Sequence, residues 1–164
     1  MGDNVGDVEI RLLTAADWQA FRDIRLRALA DAPAAFGSTL ESAQARTERD
    51  WRELLAGRAQ FLASVDGVDV GTAAGLDDPE RAGAHLISMW VAGPARGTGV
   101  SDLLLRAVID WAVGVGHQKV WLEVAMGNVA AEQLYLRQGF VRTGVEGLVA
   151  PGDPRPEFEM LLEL

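Results

Sequence analysis

Residues 90–101 read Trp90-Val91-Ala92-Gly93-Pro94-Ala95-Arg96-Gly97-Thr98-Gly99-Val100-Ser101. They connect a predicted strand, residues 84–91, to the longest predicted helix of the chain. A loop that ends at a helix N-terminus presents unpaired backbone N–H groups and the partial positive charge of the helix dipole. Gly97 and Gly99 carry no Cβ, so the backbone can approach a diphosphate closely. The segment therefore predicts a phosphate-binding loop.

The helix after this loop has one continuous apolar face. From Val100 the apolar residues recur at offsets of 3, 4, 7, 8, 11 and 12 positions, which is the pattern of a buried helix face. A glycine pair at a helix start also occurs where glycine only serves the turn. The third glycine of the Rossmann pattern and the Gly-Lys-Ser/Thr of the P-loop are both missing, so these two nucleotide-binding patterns are disfavoured.

A carboxylate, an amide and a phenol follow in the next predicted strand and helix. Residues 119–124 are predicted to form the strand, and Asn128 is predicted to cap a helix that runs to Gln138. In the strand, Glu123 lies on the face opposite its apolar neighbours, because successive side chains alternate. Tyr135, the only tyrosine of the chain, lies on the helix.

Each of these side chains has a chemical and a structural interpretation. Glu123 suits a general base that takes a proton from an ammonium, and equally a solvated or salt-bridged strand residue. Tyr135 suits an acid that protonates a departing thiolate, and equally a core aromatic whose hydroxyl caps a carbonyl. Asn128 is first of all a helix N-cap.

The remaining patterns predict a mixed sheet in a single domain, residues 1–164, with residues 1–7 as a loose N-terminal tail. Thr14 and Thr47 each begin a capping-box pattern ahead of a helix. Pro33–Arg46 has no clear period. Further strands are predicted at residues 8–12, 60–65, 68–76, 84–91, from 140 onward and at 157–164, with an Asp66-Gly67 hairpin turn and a loop at residues 77–79.

The predicted order is β-α-α-β-β-β-α-β-α-β-β. We therefore expect an α/β fold, with a central mixed sheet of about seven strands and about four helices on its faces. The strand-helix-strand unit at residues 84–124 should be parallel and right-handed.

Composition narrows the classes of protein further. The chain has 164 residues, 49% of them hydrophobic, which fits one globular domain. Its net charge of −9 argues against non-specific binding to nucleic acid or to an anionic membrane. No cysteine is present, which excludes disulfides, thiolate metal sites and an acetyl-cysteine intermediate. We expect no metal and a cytoplasmic location.

Both segments resemble the GNAT superfamily of acyl-CoA N-acyltransferases. Arg96, Gly99 and Ser101 occupy the places of the family's Arg/Gln-x-x-Gly-x-Gly/Ala loop, with serine in the last position. A second run is similar to the corresponding segment of bacterial ribosomal-protein N-terminal acetyltransferases. It consists of Leu122-Glu123-Val124, Asn128, Ala131, Leu134-Tyr135 and Gly139-Phe140. The resemblance implies that Glu123 is the base, Tyr135 the acid and Asn128 a coenzyme A contact.

The resemblance also implies where the two substrates bind. Acetyl-CoA would lie across Met89, Trp90 and Val91, where strands splay apart, and across the loop Arg96, Gly97, Thr98, Gly99, Val100 and Ser101. The acceptor would enter beside the first two helices and Pro33–Arg46. Many family members place a glutamate on the strand that ends at Val91. That strand has no carboxylate here, and His85 in it is a proton relay or a structural residue.

The function implied is acetyl transfer from acetyl-CoA to a primary amine by direct attack. The acceptor is a small molecule, a peptide or a protein, and the enzyme a monomer or homodimer. Two alternatives stay open: a non-catalytic acyl-CoA-binding regulatory domain, and an acyltransferase for a longer acyl group.

Overall fold

The computed structural model describes residues 6–33 and 36–164. One sheet runs through this part of the chain, with helices on both of its faces. The strands are β1 (Val8–Leu12), β2 (Ala59–Val65), β3 (Val68–Asp78), β4 (Gly83–Val91), β5 (Lys119–Ala125), β6 (Val141–Leu148) and β7 (Pro156–Glu163). The α-helices are α1 (Trp18–Asp31), α2 (Leu40–Gln44), α3 (Glu48–Ala56), α4 (Val100–Gly114) and α5 (Val129–Arg137).

The seven strands lie in the order β1-β2-β3-β4-β5-β7-β6. All neighbours are antiparallel except β4 and β5, which are parallel and joined by α4. This confirms the predicted α/β fold with its mixed seven-stranded sheet and its parallel strand-helix-strand unit.

Each face of the sheet has its own core. Leu104 and Val108 of α4 pack with Leu122 of β5 on one face, together with residues of α5. On the other face α1, α2 and α3 cover Leu62 of β2, and Trp51 is almost fully buried. The helices of this second face lie over the β1–β4 side. On the outer face of β5 and β7, Glu123 is exposed and Glu157 half-buried, whereas Glu159 is buried.

Strands β4 and β5 separate after a short stretch of pairing. Only Ala84 with Val120 and His85 with Trp121 are in register. Beyond that point β4 bonds only to β3, and its register with β3 shifts where Ser88 has a φ of 59°. A bulge of this kind bends the strand and turns it away from its neighbour. A gap therefore opens between the carboxyl ends of β4 and β5, as the resemblance implied.

The helix count differs from the prediction of about four, because the structure has five α-helices in its described residues. The additional one, α2, lies in the segment Pro33–Arg46, for which no period was found. Thr39 caps α2 by accepting a hydrogen bond from the backbone N–H of Ser42 at 3.1 Å. A helix of five residues is too short to show a helical repeat.

Smaller differences concern element ends. Strand β3 continues to Asp78, where a loop was predicted, and a turn of 3₁₀-helix follows at Pro79–Arg81. Most of the predicted N-terminal tail, residues 1–5, lies outside the described residues. No helix in the described part is long and apolar enough to span a membrane.

Candidate active site

The loop before α4 has the shape expected of an anion cradle. Gly97 and Gly99 have φ angles of 75° and 91°, a region that favours glycine. A Cβ added at either residue would meet no atom within 4 Å, so the loop surface is open. Gly99 is the N-cap of α4 and supplies no side-chain cap to its first-turn N–H groups. These groups are free to bind a phosphate oxygen, so the loop fits a diphosphate.

Arg96 is engaged with protein groups next to this loop. Its Nε donates to the carbonyl of Val91 at 2.9 Å, and its Nη2 donates to Asp31 at 2.6 Å. Trp90 Nε1 donates to the same carboxylate at 3.0 Å, and the bonds from Trp90 and Arg96 lower the pKa of Asp31. The guanidinium therefore ties the loop to the end of β4 and to the end of α1, and its predicted contact with the cofactor stays a prediction.

The other residues predicted to bind acetyl-CoA differ in what they expose. The side chains of Trp90 and Val100 are buried in the two cores, so only their backbone atoms are available to a ligand. Met89 and Ser101 are half-buried, and the hydroxyl of Thr98 donates to the loop carbonyl of Ala95.

Asn128 has the capping role that its position predicted. Its Oδ1 accepts a hydrogen bond from the backbone N–H of Ala131 at 3.3 Å at the start of α5. Its amide nitrogen makes no hydrogen bond within residues 6–33 and 36–164, which leaves a donor for a ligand. Contact with coenzyme A remains a prediction.

Tyr135 lies in the core formed by α4 and α5. The residue is 6% exposed, and its ring meets that of Phe140 edge-on with 5.8 Å between centroids. Burial raises the pKa of the Tyr135 phenol well above its usual range. Its hydroxyl has no hydrogen-bond partner among the residues described. The phenol is therefore a neutral donor at physiological pH.

Glu123 is joined to His85 across the β4–β5 pair. Oε2 of Glu123 lies 2.5 Å from Nε2 of His85, so the imidazole N–H can donate to the carboxylate. His85 also stacks on Trp121, with 5.4 Å between ring centroids and 9° between planes. The predicted base and the histidine considered as a proton relay thus form one unit.

Three more charged residues surround this unit, and the sequence analysis missed them. Glu159 of β7 is directly opposite Glu123 and receives two hydrogen bonds from Arg81, at 3.0 and 3.2 Å. Arg81 in turn lies over the ring of Trp121, 4.0 Å from its centroid. The alternation of Glu157 and Glu159 with apolar residues in the last strand was the available signal, since it places both on one face.

Glu157 shows that negative charge accumulates near Glu123. Burial raises the pKa of Glu157, and repulsion from Glu123 raises it further. Within the described part of the chain, no group of three or more histidine, aspartate or glutamate side chains is arranged to hold a metal ion. The negative charge of Glu123 and Glu157 suits a cationic group that carries exchangeable protons, such as an ammonium.

Glu123 and Tyr135 lie on opposite sides of the sheet. Tyr135 belongs to the core that contains Val120, Leu122 and Val124, whereas the side chain of Glu123 points to the other face of β5. A reacting group that meets both must therefore sit in the gap between β4 and β5. That gap is beside the loop that precedes α4.

Comparison with known proteins identifies the family of this chain. The model of the acetyltransferase (GNAT) family matches residues 18–140, and the chain belongs to this family. Ribosomal-protein-alanine N-acetyltransferase from Brucella melitensis is 26% identical with a TM-score of 0.75, over 95% of this chain and 99% of that one. The protein yncA from Salmonella typhimurium, solved with its cofactor acetyl-CoA, is 23% identical with a TM-score of 0.73, over 97% and 95%.

A curated relative matches part of the chain. "Probable N-acetyltransferase family 8 member 5" of Mus musculus is 35% identical over 88 residues, which are 51% of this chain and 39% of the mouse protein. The chain thus matches about two fifths of the length of this curated relative.

Proposed function

We propose that this protein transfers the acetyl group of acetyl-CoA to a primary amine. The observation that carries this proposal is the gap between the diverging β4 and β5, which opens beside the anion cradle at the start of α4. Ligands of α/β proteins bind at the carboxyl ends of parallel strands. The names of the relatives and the acetyl-CoA bound to yncA support the same reaction.

The cofactor would be held by backbone groups on both sides of this gap. The first-turn N–H groups after Gly99 would bind the diphosphate, and the backbone of Met89–Val91 would pair with the pantetheine arm. Acetyl-CoA supplies the activated acetyl thioester when it is bound. The buried side chains of Trp90 and Val100 would keep this backbone in place.

Glu123 would take the proton from the acceptor ammonium. The carboxylate is hydrogen-bonded to the imidazole of His85, and that imidazole stacks on Trp121. The proton acceptor would therefore be preorganised at the edge of the gap. Repulsion from Glu123 raises the pKa of Glu157, so a cation bound beside these two carboxylates would be stabilised. A neutral amine is then ready to attack an acyl carbon held in the gap.

Tyr135 would stabilise the leaving thiolate from the opposite side. Because its pKa is raised, the phenol keeps its proton and acts as a hydrogen-bond donor to the developing negative charge. This refines the proposed acid role, since stabilisation by the donor can precede proton transfer to sulfur.

The identity of the acceptor, the cytoplasmic location and assembly as a monomer or homodimer stay predictions. The net charge of −9 is compatible with a cationic acceptor.

A thiol-release assay tests the proposal. The protein is incubated with acetyl-CoA and a panel of primary amines, and free thiol is followed by a disulfide reagent. The chain has no cysteine, so all thiol comes from coenzyme A. Mass spectrometry of the amine verifies acetylation. We expect product with at least one amine, and little with a variant carrying both Glu123→Gln and Tyr135→Phe. Tight coenzyme A binding without acyl transfer to any amine would instead support the non-catalytic alternative.

A further inference from the structure

Arg25 is a buried cation with no counter-ion among the residues that the structure describes. It lies on α1 and is 9% exposed, and its Nη1 is buried with no hydrogen-bond partner in the structure's described residues. A buried charge is normally paired, because removing it from water is costly. A buried guanidinium nitrogen that lacks a partner among the described residues is a candidate contact for a group from outside the chain.

The charges near Arg25 increase this imbalance. Its pKa is lowered to about 10, first by burial and then by repulsion from Arg58 and Arg46. Burial and Arg46 also lower the pKa of Arg58, whose Nε is buried and has no hydrogen-bond partner in the described part of the chain. Each of the three guanidinium groups lies over an aromatic ring: Arg25 over Phe36, Arg46 over Trp51, Arg58 over Phe21. In a chain of net charge −9, this is a local excess of positive charge.

Phe36 connects Arg25 to a second guanidinium. The centre of the Arg25 guanidinium lies 4.6 Å from the centroid of the Phe36 ring. Nη2 of Arg155 donates to the carbonyl of Phe36 at 3.4 Å, and Nη1 of Arg155 is also buried without a partner in the described residues. The remaining nitrogens of Arg155 bond to Asp153, so Nη1 is the donor left over. Two unused guanidinium nitrogens thus flank one phenylalanine.

Arg155 of this pair adjoins the strand that carries Glu157. Arg155 directly precedes β7, and Glu157 of β7 is paired with Ala125 at the carboxyl end of β5. The pKa of Glu157 responds to both Glu123 and His85, which shows that these groups are near it. Phe36 therefore lies between the buried cation of α1 and the strand that carries the acidic side of the site.

We propose that the acceptor is an amino acid, or an amine of the same class, whose carboxylate binds the guanidinium of Arg25 beside Phe36. The inference rests on the proposed acetyl transfer. The planar guanidinium matches a carboxylate with two parallel hydrogen bonds, and the second unused nitrogen belongs to Arg155. The ammonium of the same molecule would face Glu123 and Glu157. A zwitterion thus satisfies both the excess positive and the excess negative charge.

Product binding to the coenzyme A-loaded protein tests this inference without turnover. Calorimetry compares N-acetyl-alanine, N-acetyl-leucine, N-acetyl-phenylalanine and N-acetyl-γ-aminobutyrate with their carboxamides. Coenzyme A occupies the α4 loop, so a carboxylate cannot bind there instead. We expect at least one acid to bind about 10- to 100-fold more tightly than its amide, as for a hydrogen-bonded charged pair.

Variants locate the effect. Arg25→Met should remove the preference for the acid, and Arg25→Lys should restore only part of it because a lysine lacks the planar fork. Arg155→Gln should also reduce the preference for the acid. Because Arg155 is more exposed, this variant keeps the test available if the buried Arg25 variants fail to fold. Arg49→Gln is the matched control, because Arg49 is exposed on α3 and its ion pair with Glu53 is local.

The outcomes separate the two proposals. If coenzyme A itself does not bind, the proposed function fails. If coenzyme A binds but each acid and its amide bind equally, or no acid binds, the carboxylate inference is overturned while acetyl transfer stands on the thiol-release assay. A preference for the acid that survives Arg25→Met and Arg155→Gln would also overturn it, because the carboxylate would then bind elsewhere.

Discussion

Replacing Tyr135 with phenylalanine removes one oxygen atom and leaves the ring. The ring is packed in the core at 6% exposure against Phe140, so the variant keeps its apolar contacts. The hydroxyl makes no hydrogen bond to a described residue, so its loss should change the free energy of unfolding by less than about 1 kcal/mol. The perturbation is therefore confined to one proton donor.

The expected effect on catalysis is much larger than the effect on stability. A donor to charge that develops in the transition state contributes about 2.7–4 kcal/mol, so the rate of acetyl transfer should fall by about 10²–10³-fold. Binding of acetyl-CoA should change little, because the donor acts on sulfur only as the thioester breaks.

Single-turnover measurements isolate this step. Excess protein is mixed with acetyl-CoA and the best amine of the panel, and thiol release is followed; urea unfolding of the same sample verifies the fold. Phe140→Leu serves as the control, since it loosens the same core and leaves the phenol in place. An unchanged single-turnover rate in a folded Tyr135→Phe protein would refute the role of the phenol in thiolate stabilisation.

Three further predictions address the loop, the base and the sheet. Gly99→Val should weaken calorimetric binding of coenzyme A at least about tenfold, because Gly99 has a positive φ and the valine side chain would fill the open cradle. As the control, Gly116→Val changes an equally left-handed glycine after α4 and should leave binding unchanged. Glu123→Gln should lower turnover most at low pH, where the acceptor is protonated, and the loss should shrink as pH rises; a pH–rate profile that overlays the parent would make Glu123 structural. Arg81→Gln should cost about 1–2 kcal/mol in urea unfolding at pH 7. The pKa of Glu159 is lowered by Arg81, so this stability exists above the unfolded pKa and is lost as pH falls through the folded one; an equal loss at pH 2 and pH 7 would contradict the pairing.

Strong local signals were read correctly from the sequence. The apolar period from Val100 predicted α4, and the Asp66-Gly67 pair predicted a hairpin turn in which both residues have positive φ, 50° and 80°. The short helix α2 was missed because five residues make little more than one turn and show no repeat. Its boundary signal, Thr39 as a cap, is visible only once the helix is known.

For the candidate site, the sequence predicted on which strand face a residue lies, but not which distant residues it contacts. Alternation in a strand placed Glu123 on the face away from the core, and the structure agrees. The cofactor contact predicted for Arg96 stays a prediction, and the structure adds that its guanidinium bonds to the carbonyl of Val91 and to Asp31. No local pattern could show this, because Asp31 is 65 residues away in the chain.

By itself the sequence determined the strands, every α-helix except α2, the glycine-bearing loop before α4 and the face on which each strand residue lies. These features depend on neighbours a few positions apart. Only the tertiary structure decided that β4 and β5 are paired for two residues and then diverge, which brings His85 to Glu123 and opens the gap. The tertiary structure alone shows that Arg25 and Arg155 both contact Phe36. Such contacts depend on strand order, register and the packing of distant loops, and a sequence pattern carries no local signal for any of them.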